Sequence, residues 1–240
     1  MTAPDIDSLF HHLDNWRHLP SYRLEPRADV LFGLFLPRAL DRHLASLGIK
    51  IDPRLIPEFP LGQSGSKRSD KADFFALSTD RKHAFLIELK TDMGSLQEYQ
   101  EDYLACAVKR GMSAILCDVR RMAKARERRA RKKYFHLLRS IACLGLMTLP
   151  DDLEHKVYDA PRGVYECIDR TVIASPSPSV GVIHVLPQAI NGKDCIDFET
   201  FARVVENQGR IGERFAESLR NWTGFEAGEH EQKSRPPATV

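Results

Sequence analysis

No apolar run in the 240-residue chain approaches the roughly 20 residues that a membrane helix needs. The N-terminal MTAPDIDSLF is acidic where a secretory leader would be basic and then apolar, so none is expected. These absences predict a soluble, cytoplasmic protein with no membrane partner. The five cysteines, Cys106, Cys117, Cys143, Cys167 and Cys195, are odd in number and widely spaced. No CxxC pair is present, which excludes paired-cysteine zinc sites and a redox couple of that type. The thiols are expected to be reduced and mostly buried. The nine histidines form no HExxH, and neither a GxSxG elbow nor a dinucleotide-binding glycine fingerprint occurs. In GQSGSKRSD, Gly62, Gly65 and Lys67 miss the P-loop spacing, which needs four residues between the glycines and Lys directly after the second. That stretch reads as a polar loop open to phosphate contact. There is no internal repeat.

What is present is enough for a core: 42% of residues are hydrophobic, and the length suits one domain with elaborations. The expected layout is a single domain over 1–225, with a core at about 26–119, an elaboration at 120–225 and a disordered polar tail at 226–240. Charge is segregated. Between Arg120 and Lys133 nine Lys or Arg face one Glu, a local +8 in a chain of net +2, so the rest carries −6. Such segregation suits a polyanion, because each neutralised phosphate releases counterions. A solvated, charge-rich helix is the alternative. The side chains expected to grip a backbone are Arg120, Arg121, Lys124, Arg128, Arg131 and Lys132.

Apolar residues recur at helical spacing from Pro26 to Leu47, with Gly48 as the stop. Residues 55–61 hold two prolines and read as an edge or bulged strand. Residues 72–77 and 84–89 read as two strands around a polar turn. Ser95 and Glu98 have capping-box spacing for a helix reaching about Lys109, and SAILCDV, 113–119, reads as a strand. The basic segment continues into a helix through YFHLLRSIACLGL. Strands are expected near 163–174 and 180–186, and one helix from Phe198 to Trp222. The order predicts a mixed sheet flanked by helices, an α/β (α+β) layer architecture.

Chemistry concentrates in AFLIELKTD, residues 84–92. Glu-x-Lys occurs three times, but only Glu88-Leu89-Lys90 terminates an apolar strand. Alternation puts Leu86, Glu88 and Lys90 on one face and Phe85, Ile87 and Leu89 on the other. If the two strands pair symmetrically about the peptide between Asp80 and Arg81, partner numbers sum to 161. Leu77 then meets Ala84, Phe75 meets Leu86 and Asp73 meets Glu88. Opposed carboxylates repel unless a cation lies between them, and Mg²⁺ typically takes one or two carboxylates while keeping waters. Lys90 beside it would orient or deprotonate a water or stabilise charge on phosphorus. That set suits phosphodiester hydrolysis. The alternative is a surface salt bridge among Asp73, Glu88 and Lys90 on a solvated strand.

Asp73, fourteen intervening residues, then Glu88-Leu89-Lys90 after an apolar run resembles the PD-(D/E)xK nuclease superfamily, over roughly Pro26 to Val119. Ala72 stands where that family often has Pro. The resemblance implies a restriction-endonuclease-like fold with C-terminal strand and helix elaborations. It implies a metal-dependent nuclease acting on DNA, with Mg²⁺ or Mn²⁺ held by Asp73, Glu88 and the carbonyl of Leu89, and Lys90 serving the attacking water. Gln100 would reach a metal water or a phosphate; a hydrogen-bonded core glutamine is the alternative. Glu25 or Asp29 would supply the acidic residue of the first helix, or merely favour its N-terminus. Many such enzymes cut two strands as dimers, so a homodimer is compatible. Two rivals keep the fold without the reaction: a catalytically inactive nucleic-acid-binding module, and a protein-interaction module whose basic helix meets an acidic partner.

Overall fold

The computed structural model describes residues 5–62, 70–160 and 162–233. In chain order these hold α1 (Ile6–Trp16), α2 (Glu25–His43), β1 (Ile56–Gly62), β2 (Asp70–Leu77), β3 (His83–Leu89), α3 (Glu98–Met122), α4 (Arg128–Cys143), β4 (Met147–Thr148), α5 (Leu153–Tyr158), α6 (Val164–Asp169), β5 (Val172–Ile173), β6 (Ser179–Leu186), β7 (Cys195–Asp197), α7 (Phe198–Val205) and α8 (Gly209–Lys233). Five strands make one sheet in the order β1-β2-β3-β6-β7, and β4 with β5 forms a separate short pair. β1, β2 and β3 run antiparallel in succession, whereas β6 and β7 are parallel, so the sheet is mixed. Helices flank it, α3 packing on β1 and α7 on β7. Among the described residues no helix is long and apolar enough to cross a membrane.

The chain divides into two compact units, one of Met1–Ile49, Glu88–Leu96 and Ile183–Val240, the other of Lys50–Ile87 and Gln97–Val182. In the second, the hairpin has the expected register: Leu77 pairs Ala84, Ala76 pairs Phe85, Phe75 pairs Leu86 and Phe74 pairs Ile87. The turn fixes it. Asp80 Oδ1 accepts from Ser78 Oγ (2.6 Å) and from the Lys82 N–H (3.0 Å), and the Ser78 N–H donates to His83 O (2.8 Å). The Ser78 hydroxyl, then the Lys82 N–H, hold the Asp80 carboxyl below its usual range. β1 is an edge strand whose register shifts between Pro60 and Gly62, as two prolines in a strand require. Phe59, Phe75, Leu86, Ile115, Leu138 and Ile141 lie in this unit's core. The polar loop expected at Gly62 to Asp70 falls largely at 63–69, outside the described residues.

Several expectations are corrected. SAILCDV is not a strand but the second half of α3. Met112, Ile115, Leu116, Val119 and Ala123 are all buried, a 3-4 spacing that places one helix face in the core. The kink that separates the two halves is Gly111, at φ +76° and ψ 165°. The start of α3 is Glu98 rather than Ser95, because Met93–Ser95 forms a 3₁₀ turn in which Asp92 Oδ1 accepts from the Gly94 N–H (2.7 Å). Residues 163–174 give α6 and only two strand residues. The cysteines are free, but Cys167 alone is buried, while Cys106 and Cys143 are exposed.

In the other unit α2 follows the predicted span, with Pro26 in its first turn, and a 3₁₀ turn at Ala45–Leu47 leads to left-handed Gly48 (φ +67°). The single C-terminal helix predicted from Phe198 to Trp222 is two: α7, capped by Asp197 Oδ1 on the Thr200 N–H (2.7 Å), and α8. Gly209 at φ +73° makes the break. α8 extends to Lys233, into the span expected as tail, and 234–240 lie outside the described residues. The core here is aromatic. Phe32 packs against Phe198 (5.6 Å), Phe201 (5.4 Å) and Phe215 (5.0 Å) between ring centroids, and buried Trp222 donates to Asp14 Oδ1 (2.8 Å).

Candidate active site

β3 ends in Glu88 and Leu89, and the sheet continues to hold the backbone one residue further, where the Lys90 N–H donates to Val185 O on β6 (2.9 Å). With two-residue alternation, Glu88 and Lys90 then share a side. The Lys90 ammonium donates to Glu88 Oε1 at 2.6 Å and to Leu89 O at 3.1 Å, and Glu25 Oε2 stands 3.8 Å away. The side chains of Lys90 and Glu88 are only 4% and 3% exposed, that of Glu25 33%. The expected alternative of a solvated surface pair is therefore overturned for Glu88 and Lys90. Leu89, between them in the chain, is buried as well. Burying two charges costs several kcal/mol per ion, offset only by close geometry and by further hydrogen bonds such as the one to Leu89 O.

The ammonium meets oxygens here, from two carboxylates and a backbone carbonyl. This hard donor set fits Mg²⁺ or Mn²⁺, and it would not select a soft metal. Among the described residues no three His, Cys, Asp or Glu side chains gather as a cage. The carboxylates available here, Glu25 and Glu88, match an ion that takes one or two and keeps its waters. Of the two acidic candidates on α2, Glu25 is the one near Lys90. Asp29 Oδ1 instead accepts from the adjacent Val30 N–H (2.6 Å).

Glu25, Glu88, Leu89 and Lys90 belong to one unit; Asp73 and Gln100 belong to the other. Asp73 lies half-buried on β2, next to fully buried Ala72. Gln100 lies in the first turn of α3. Its Oε1 is buried and has no hydrogen-bond partner among the described residues, so the alternative of a satisfied core amide is not met.

The basic segment divides into residues that hold the fold and residues that do not. Arg120 donates to Thr171 O (3.0 Å), Lys124 to Asp169 Oδ2 (2.6 Å), Arg128 to Tyr158 O (2.5 Å) and Arg131 to Arg126 O (2.7 Å). Lys132 sits over the Tyr158 ring at 4.6 Å, and Arg121, largely exposed, pairs with Asp118 (2.9 Å). All six cations named for phosphate contact thus have partners inside the protein. Sequence reasoning passed over Arg126, Arg129 and Lys133, which are exposed and whose side chains have no partner among the described residues. The signal was there: Phe135, Leu138 and Ile141 mark the buried face of α4, and Arg129, Lys133 and His136 fall opposite. Beyond them Arg54, His136, Arg139, Ser140 and Cys143 border a cavity of about 450 Å³. Its Arg54 is committed to Asp52 and Cys143 O (2.7 Å), and hydrogen bonding to Arg54 holds the Asp52 carboxyl below its usual range.

Set against protein-family models, curated proteins and solved structures, the chain has no match among them.

Proposed function

We propose that the chain is a metal-dependent nuclease of the PD-(D/E)xK type, with a restriction-endonuclease-like core, that hydrolyses DNA phosphodiester bonds. The observation that carries the reading is the buried Glu88 and Lys90 pair at the end of an apolar strand. Apolar residues of similar volume in its place are often neutral or stabilising, so the fold has no need of it. Charged groups forced into low dielectric beside one another are the arrangement that active sites use.

On this reading Glu88, Glu25 and the Leu89 carbonyl hold Mg²⁺ or Mn²⁺. When bound, the ion supplies positive charge next to the phosphate oxygens. Lys90 has three N–H donors, and with one kept on Glu88 it orients the attacking water or faces charge developing on a phosphate oxygen. Asp73, at the family spacing before Glu88, is a further carboxylate expected to be required for cleavage. The unpartnered Gln100 Oε1 is an acceptor for a water. Within the basic segment, Arg126, Arg129 and Lys133 are the cations offered to the DNA backbone.

The test is Mn²⁺ titration calorimetry on wild type, Glu88→Gln, Glu25→Gln and Asp73→Asn. Wild type is expected to bind with an enthalpy that Glu88→Gln abolishes and the other two weaken. Equal binding by wild type and Glu88→Gln would sink the reading. One observation favours a second reading: Lys90 already neutralises Glu88. A nucleic-acid-binding module needs no more than that, and its binding would be salt-sensitive, metal-independent and indifferent to Glu88→Gln.

A further inference from the structure

Trp16 is 44% exposed, whereas the other tryptophan, Trp222, is 1% exposed. An exposed indole at the end of a helix calls for a reason, because burying it would contribute more to stability than burying almost any other side chain. Trp16 is one rung of a ladder. The His12 ring stacks on it at 4.3 Å and 16°, Tyr22 meets it edge-on at 6.2 Å and 70°, and the Arg27 guanidinium lies 4.5 Å over Tyr22. Leu19, 54% exposed, stands in the turn between the two aromatic rings in sequence. The turn is shaped by Ser21, which holds φ +64° without being glycine. Such backbone strain persists only where its surroundings over-determine it.

The charge beside the rings is positive. From Trp16 to Arg27 there are three arginines, Arg17, Arg23 and Arg27, against one acidic residue, Glu25, and Arg23 and Arg27 are exposed. Aromatic faces interleaved with arginines are the elements with which proteins hold unpaired nucleotides: bases stack on the rings while cations follow the phosphates. A duplex keeps its base faces covered and gives such rings nothing to stack on. The single acidic residue in the stretch is Glu25, whose carboxylate faces Lys90 in the candidate active site.

We infer that His12, Trp16, Tyr22 and Arg27 form a stacking platform for an unpaired nucleobase, which makes single-stranded DNA, or the frayed end of a duplex, the preferred substrate class. The inference rests on the nucleic-acid reading above and narrows it. Trp16 carries the stack, and Arg27, already over Tyr22, extends the platform.

The test uses the full chain with a fluorescein-labelled oligothymidylate about a dozen nucleotides long, a length that covers one such platform and its flanking cations, and the matching duplex. Two signals are read: fluorescein anisotropy for binding and protein tryptophan emission for stacking. Wild type is expected to bind the single strand more tightly than the duplex, with its tryptophan emission quenched. Trp16→Ala is expected to lose about tenfold or more in affinity, the value of one stacked base. Trp16→Phe is expected to keep most of the affinity and lose the quench. Equal affinities for Trp16→Ala and wild type would overturn the platform and leave the nucleic-acid reading standing. No binding of either probe by wild type would remove both. Concentration-dependent dimerisation without DNA that Trp16→Ala abolishes would assign the platform to a second copy of the chain and overturn the inference.

Discussion

At the scale of the residue, Lys90 decides most. Its buried ammonium serves Glu88 Oε1 and Leu89 O, and its backbone is tied to β6. Lys90→Met would remove the cation 2.6 Å from buried Glu88, and is expected to lower the unfolding free energy by about 3–5 kcal/mol in urea titrations. Adding Glu88→Gln to that background is expected to recover much of the loss, whereas independent contributions would add. Glu25→Gln, at a carboxylate one-third exposed and 3.8 Å from the ammonium, is expected to cost less than about 1 kcal/mol. The sequence allowed Glu88 and Lys90 to be placed on one side of a strand, since alternation is a local property, while Glu25 and Asp29 were named as alternatives only through the family resemblance. It left their burial open, because burial depends on what covers that side of the strand.

At the scale of the element, the hairpin register was legible from Leu77 and Ala84 to Phe74 and Ile87. An even turn between two apolar runs fixes the register, and Asp80 locks that turn with its own side chain. SAILCDV was not legible, because a short apolar run suits a buried strand and a buried helix alike, and only its neighbours on α3 decide. Gly111 was the missed sign. Its φ of +76° with no atom within 4 Å of an added Cβ means that Gly111→Ala meets backbone strain alone. The expected cost is about 1–3 kcal/mol in denaturant unfolding.

The junction of α7 and α8 was likewise hidden inside one periodic stretch. It is held by Arg220, which donates to Glu199 Oε2 (3.0 Å) and Glu206 Oε2 (2.6 Å), while Arg203 donates to Glu199 Oε1 (3.0 Å). Hydrogen bonding to Arg220, and then to Arg203, lowers the Glu199 carboxyl below its ordinary value of 4.5. A carboxylate lowered on folding adds stability that is full above the unfolded value and is lost as the pH falls through the folded one. Wild type is therefore expected to exceed Glu199→Gln in melting temperature at pH 7 and to lose that margin as the pH falls from the ordinary value of 4.5 through the lowered one. The margin is that of a surface network, up to about 1 kcal/mol.

At the scale of the whole molecule, charge is more finely divided than composition reveals. The +8 segment reads as one basic patch, but Arg120, Lys124, Arg128 and Arg131 bind carbonyls or carboxylates of the fold. That division depends on contacts distant in sequence and is invisible in the run itself. Replacing Arg126, Arg129 and Lys133 together by Ala is expected to flatten the slope of log affinity for DNA against log salt by about 2 to 3, near 0.9 for each phosphate that is no longer neutralised. Replacing Arg120, Arg128 and Arg131 instead is expected to lower stability. The decisive measurement is cleavage of supercoiled, linear and single-stranded DNA by wild type and by Lys90→Ala, with Mg²⁺, Mn²⁺ or EDTA, circular dichroism having shown that the variant is folded. Metal-dependent cleavage by wild type, falling about a hundredfold or more in the variant, would place Lys90 at the reacting phosphate. Cleavage unchanged in Lys90→Ala, or none by either protein while both bind DNA, would contradict that assignment.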